Sequence, residues 1–150
     1  MAEYRITKIK LNKGKWCISW EIFNPDTANW DGYALTSKDK AREELVNRMK
    51  VMCNHVVDIC ELPESSIKKV GISGVTVTYK DGNRYLVITG AKMLEKSKAP
   101  LIINTPARPE MAEEDGDPSY CMSDELIDDL AALEEEAWKY INGDRAPKEA

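Results

Sequence analysis

The chain has 150 residues, of which 43% are hydrophobic and 31% charged, and its net charge is −5. That balance excludes fibrous and wholly disordered classes, and a chain of this length buries roughly two thirds of its unfolded surface, enough for a core without disulfide or metal staples. Its longest apolar runs, such as Pro100-Leu101-Ile102-Ile103, fall far short of the roughly 20 residues that cross a bilayer, and residues 1–5 carry no apolar signal-peptide core, so no membrane contact and a cytoplasmic location are expected.

Residues 4–11 are rich in β-branched side chains and lead into Asn12-Lys13-Gly14, which reads as a strand followed by a turn. Trp16, Ile18, Trp20 and Ile22 then alternate with Cys17, Ser19 and Glu21, the period of a half-buried strand. Asn24-Pro25-Asp26 and residues 29–32 have loop chemistry, and a third short strand follows at 33–36. Thr36 or Ser37 is placed to cap a helix whose apolar face is Leu45, Met49, Met52, Val56 and Ile59, and Pro63 stops it near Cys60, so a central helix is expected over most of 38–60. Val75, Val77 and Tyr79 alternate with Thr76 and Thr78, and Asp81-Gly82 is a strong hairpin signal before residues 84–91. Residues 96–122, with four prolines and the acidic cluster Glu113, Glu114, Asp115 and Asp117, read as a Pro-rich acidic loop or linker. Ser123 caps a last helix over 123–143 whose stripe is Leu126, Leu130, Leu133, Ala137 and Ile141, and Asn142-Gly143 ends it. This helix is expected to pack on the body formed by 1–95 or on a second subunit.

The four cysteines, Cys17, Cys53, Cys60 and Cys121, have no paired C-x-x-C spacing, so neither a disulfide framework nor a zinc site is expected. Cys53 and Cys60 share a helical face with Met49 and Val56 and read as buried structural thiols. The single histidine, His55, points away from that face and reads as a surface residue, which leaves no nucleophile–histidine pair to assemble. The carboxylates of the last helix read as its solvated face. Gly71-Ile72-Ser73-Gly74 has neither the length nor the following Lys-Ser or Lys-Thr of a phosphate loop and reads as a turn or bulge. No catalytic residue, metal or cofactor is expected, and the chain is not read as an enzyme.

Charge is unevenly spread. Residues 1–100 hold 17 basic against 12 acidic residues, a balance of +5, whereas 101–150 hold 4 against 14, a balance of −10. Such a split suits a basic body that meets a polyanion and an acidic appendage that competes for it or contacts another protein. Trp16 and Trp20 share a face with Ile18 and Ile22 and belong to the core, while Trp30, between Asn29 and Asp31, is the tryptophan expected to be exposed. The candidate binding set is Lys8, Lys10, Lys13, Lys15, Trp30, Tyr33, Lys68, Lys69, Arg84, Tyr85 and Lys92, because basic grooves with stacking aromatics hold single-stranded nucleic acid without sequence readout.

Four strings carry a resemblance: residues 70–79 (VGISGVTVTY), 89–92 (TGAK), 99–106 (APLIINTP) and 135–146 (EEAWKYINGDRA). Together they resemble an uncharacterised family of small early-region proteins of tailed phages and prophages, over most of the chain. The resemblance implies a viral origin and a binding role near replication and recombination, and it supplies no catalytic residue. The amino-terminal hairpin with Trp16 and Trp20 departs from the family pattern.

Three strands, a helix, two strands, a linker and a helix predict an α+β fold with an antiparallel sheet of about five strands, either an OB-like barrel or an unclosed sheet packed on its helices. The function expected is that of a phage accessory protein binding single-stranded nucleic acid. The alternative is a counter-defence protein that sequesters a small host nucleotide in a compact pocket or grips a host protein; either would suit a homo-oligomer.

Overall fold

The computed structural model describes residues 3–112, 116 and 120–147. Its elements are β1 (Tyr4–Asn12), β2 (Lys15–Asn24), β3 (Asn29–Ser37), α1 (Glu43–Ile59), a 3-10 turn (Glu64–Lys69), β4 (Val70–Lys80), β5 (Asn83–Lys92), β6 (Leu101–Asn104), β7 (Arg108–Pro109) and α2 (Asp124–Ile141). The seven strands form one antiparallel sheet in the order β3-β2-β1-β4-β5-β6, with β7 also paired to β5. The sheet is open, with β3 and β6 at its two edges, so the unclosed α+β arrangement is the one adopted.

Two tight hairpins follow from local chemistry. Lys13 and Gly14, at φ 52° and 77°, join β1 to β2, and Asp81 and Gly82, at φ 51° and 77°, join β4 to β5. Positive φ at both central residues is the type I′ geometry whose twist matches paired strands. Each sheet half carries one irregularity: β1 shifts register between Ile6 and Lys8, and β4 shifts between Ile72 and Gly74, so of the turn or bulge expected in the 71–74 glycine segment the chain forms a bulge within β4.

One face of the sheet is buried. Ile6, Ile9, Trp16, Ile18, Val75, Val77, Leu86 and Ile88 meet Leu45, Met49, Met52, Cys53 and Val56 of α1 and Leu126, Leu130, Leu133, Ala137 and Tyr140 of α2 in a single core. The carboxy-terminal helix therefore packs on the body. Ser123 caps it, its Oγ accepting from the Leu126 amide at 3.1 Å, and Gly143, at φ 95°, follows its end.

Several expectations need correction. The strands number seven, because β6 and β7 lie inside the segment read as a linker; a four-residue run and a two-residue pair are too short to show a period. The acidic cluster Glu113, Glu114, Asp115 and Asp117 lies outside the described residues. Strand β3 begins at Asn29, where a loop was expected, since Asn29 to Asp31 pair with Asn24 to Ile22. Helix α1 begins at Glu43 behind Arg42, which supplies no side-chain cap; Ser37 ends β3 instead, and its Oγ accepts from the Asp39 amide at 3.1 Å. Tyr140, more than Ile141, completes the buried stripe of α2, its hydroxyl donating to the Asp39 carbonyl at 2.6 Å. His55 is buried because α2 covers the flank of α1 that carries it, and its Nε2 lies 2.6 Å from Asp129 Oδ2.

Candidate nucleic-acid interface

Residues directly opposite in an antiparallel pair share a face, so the register gives the composition of the uncovered side of the sheet. Across the middle of that side, Cys17 of β2, Lys10 of β1, Gly74 of β4, Thr89 of β5 and Asn104 of β6 form one row. The next row is Ala34, Ser19, Lys8, Thr76 and Val87. Small and hydroxyl-bearing side chains thus surround two lysines held in register by β1. Lys15, opposite Asn12 and in phase with Cys17, extends the same side toward the hairpin end.

Two shallow depressions run along the seam between β1 and β4. The first, about 240 Å³, is lined by Lys8, Lys10, Ser73, Gly74, Thr89 and Asn104 among others, and the second, about 390 Å³, by Arg5, Thr7, Ser19, Glu21, Thr78 and Tyr79. Both include Lys8 and Thr76, so they form one trough. From Gly74 to Tyr79 it follows β4 for about 17 Å at the usual rise of an extended strand. Among the described residues, no carboxylate pairs with Lys8, Lys10 or Lys15; the one acid lining the trough, Glu21, accepts from Arg5 Nε at 2.8 Å. The Arg5 guanidinium also lies between the rings of Trp30 and Tyr79, at 3.9 and 4.1 Å from their centroids, so its charge is already engaged.

The structure brings together Lys8, Lys10, Lys15, Tyr85 and Trp30 on the uncovered side, Tyr85 lying opposite Thr78 and Trp30 opposite Phe23. Lys13 sits in the adjoining turn. Trp30 is in β3 and not in a loop, and it is half-buried by Phe23 and Arg5. Other members of the set lie elsewhere. Tyr33 is opposite Trp20 on the helix-covered side, stacked on its ring at 6.0 Å. Lys92 is opposite Val70 at the end of β5, and Lys68 and Lys69 are in the 3-10 turn, where Lys69 donates to Glu95 at 3.2 Å. Arg84 lies opposite Tyr79 in phase with the core, where its Nε donates to Glu110 and its Nη1 to Glu134 at 2.9 Å.

That internal cluster has its own electrostatics. Burial raises the Glu134 carboxyl above the ordinary glutamate range; Arg84 opposes the shift and Glu110 adds to it. For Arg84, burial works against the charge, but its two carboxylate partners outweigh it and hold the guanidinium ionised. Burial also raises the Cys53 thiol, whose Sγ donates to the Ile67 and Val70 carbonyls, and the half-buried Cys60.

Sequence reasoning missed Ser73, Gly74, Thr76, Thr89 and Asn104 as trough residues. The only signal was the alternation of Thr76 and Thr78 out of phase with the core, since Gly74 and Asn104 join the row only through pairings between distant strands. Among the described residues no group of three or more histidine, cysteine or acidic side chains could hold a metal ion, and no helix is long and apolar enough to cross a membrane. Compared with known families, curated proteins and solved structures, the chain matches none.

Proposed function

We infer that this chain is a non-enzymatic accessory protein that binds single-stranded nucleic acid along the uncovered face of its sheet, in the cytoplasm of a phage-infected cell. One observation supports this above all: Lys8, Lys10 and Lys15 share that face with no carboxylate partner among the described residues, beside a trough of small and hydroxyl side chains, while the acid-rich α2 lies on the other side of the sheet. The ammonium groups neutralise phosphates, and Thr76 and Thr78 of β4 with Tyr85 of β5 give the bases a surface to rest on. The two depressions, about 240 and 390 Å³, continue into one another along the seam between β1 and β4 and stay open along their length instead of closing around a ligand. A strand laid along the trough therefore fits better than a nucleotide sequestered whole. The resemblance to early-region phage proteins agrees with a place beside replication or recombination.

The test is fluorescence anisotropy of a labelled oligothymidylate at two salt concentrations. Three lysine–phosphate contacts predict a log–log slope of about −2, or roughly a 20-fold loss of affinity between 50 and 200 mM salt. The double variant Lys8→Glu/Lys10→Glu should abolish most of the binding, whereas Glu135→Gln on the far side should leave it unchanged. No binding of the wild type at low salt would end this reading.

A further inference from the structure

We propose that the notch over Gly74 is a receptor for a terminal phosphate group, so that the strand bound on the uncovered face is held by a phosphorylated end; the proposal rests on the nucleic-acid reading above. The notch lies over Gly74, whose lack of a side chain lets the β1 backbone close against β4 and gives the depression a backbone floor. A Cβ at Gly74 would stand 2.7 Å from the Ile9 carbonyl oxygen and 3.3 Å from Lys10 Cβ, so the close approach of β1 and β4 leaves no room for a side chain there. The β4 bulge sets Ser73 at one end of the resulting depression, and Lys8 and Thr76 close the other.

Its polar groups are arranged for an acceptor-rich guest. Thr89 Oγ1 donates to Asn104 Oδ1 at 2.8 Å, which orients the carboxamide and leaves its NH₂ free to donate. Ser73 spends its own hydroxyl proton on the Thr89 carbonyl at 3.2 Å. The lining thus supplies two lysines, one carboxamide and the Thr76 hydroxyl, and among the described residues no carboxylate lines it. A lining of donors calls for an oxyanion. Two lysines match a phosphomonoester, which carries about −1.5 to −2 at neutral pH, better than the single charge of an internal phosphodiester. The volume, about 240 Å³, suits the phosphate group alone with the rest of the strand running on along the trough.

The experiment titrates the full chain at low salt with three labelled oligothymidylates of one length, bearing a 5′-phosphate, a 3′-phosphate or neither. One phosphorylated end should bind about tenfold more tightly than the unphosphorylated strand, the worth of one well-made charged hydrogen bond. Which of the two gains the advantage says which end the notch holds. In Asn104→Asp, an isosteric change that turns the donor into a carboxylate, the preference should collapse to about onefold, with an unfolding curve to confirm the fold. Equal affinity of the wild type for all three strands would overturn the phosphate site while leaving the nucleic-acid reading intact. Absence of any oligonucleotide binding, with inorganic phosphate raising the melting temperature of the wild type but not of Asn104→Asp, would retain the site and overturn the strand. Absence of both effects would overturn both.

Discussion

Replacing Leu130 by alanine tests whether α2 is an integral layer of the core. Leu130 is 0% exposed in the centre of the α2 stripe, with Leu126, Leu133 and Ala137 of the same stripe also buried. Truncating it loses the transfer free energy of the removed atoms and leaves a cavity that a close-packed surround only partly fills, about 3 kcal/mol within the usual 2–5 kcal/mol for such sites. For a domain of this size each kcal/mol shifts the melting temperature by about 2–4 °C, so a fall of roughly 6–12 °C is expected. The internal control is Leu101→Ala, the same chemical change at a position 50% exposed on β6, which should cost less than about 1 kcal/mol because half of the side chain already meets water. Differential scanning calorimetry reads both values and shows whether unfolding remains one transition. A fall below about 2 °C for Leu130→Ala, or two separate transitions in the wild type, would refute the view that α2 melts with the sheet.

Further substitutions probe the polar framework. Asp129→Ala leaves buried His55 without its partner and should cost about 1–3 kcal/mol in urea unfolding; no change would mean that this link between α1 and α2 contributes nothing. Glu134 holds its proton to higher pH in the native state than in the unfolded chain, so its contribution is fully present below the ordinary glutamate pKa and is lost as the pH rises through the raised one. The wild type should therefore gain stability relative to Glu134→Gln as the pH is lowered from 7 to 5, and a constant difference would contradict the assigned direction. Gly74→Ala should cost about 1–3 kcal/mol by forcing β1 and β4 apart, and an unaltered urea midpoint would show that the seam is looser than the 2.7 Å approach implies.

What was legible in the sequence was local. The alternation of Trp16, Ile18 and Trp20, the Lys13-Gly14 and Asp81-Gly82 turns, the α1 face and the Ser123 cap each depend on residues within a few positions of one another, and each stands where the sequence placed it. What was illegible depended on partners far along the chain. His55 reads as a surface residue until Asp129, 74 positions later, arrives on α2. Strand β6 exists because β5 offers it an edge, and nothing in Leu101-Ile102-Ile103-Asn104 distinguishes a strand from any short apolar run. The candidate site divides in the same way. Lys8 and Lys10 share a face by the period of two alone, whereas Arg84, counted among the basic residues, falls in phase with Tyr79 and is consumed by Glu110 and Glu134. The Gly74 notch needs the register of four strands at once.

The β6 edge bears on the colloidal behaviour of the protein. Its four residues carry no charge, and Leu101 and Ile102 are 50% and 62% exposed, the composition that in an unguarded edge strand templates runaway sheet growth and fibrils. Pro100 stands immediately before the strand and Pro106 two residues after it, and neither has an amide proton to offer an incoming chain. The sticky segment is thereby held to four residues, too short to nucleate a stable stack. Exchanging either proline for a β-branched residue would lengthen the template, so these two positions act as gatekeepers of solubility and protect an apolar strand that carries no lysine of its own.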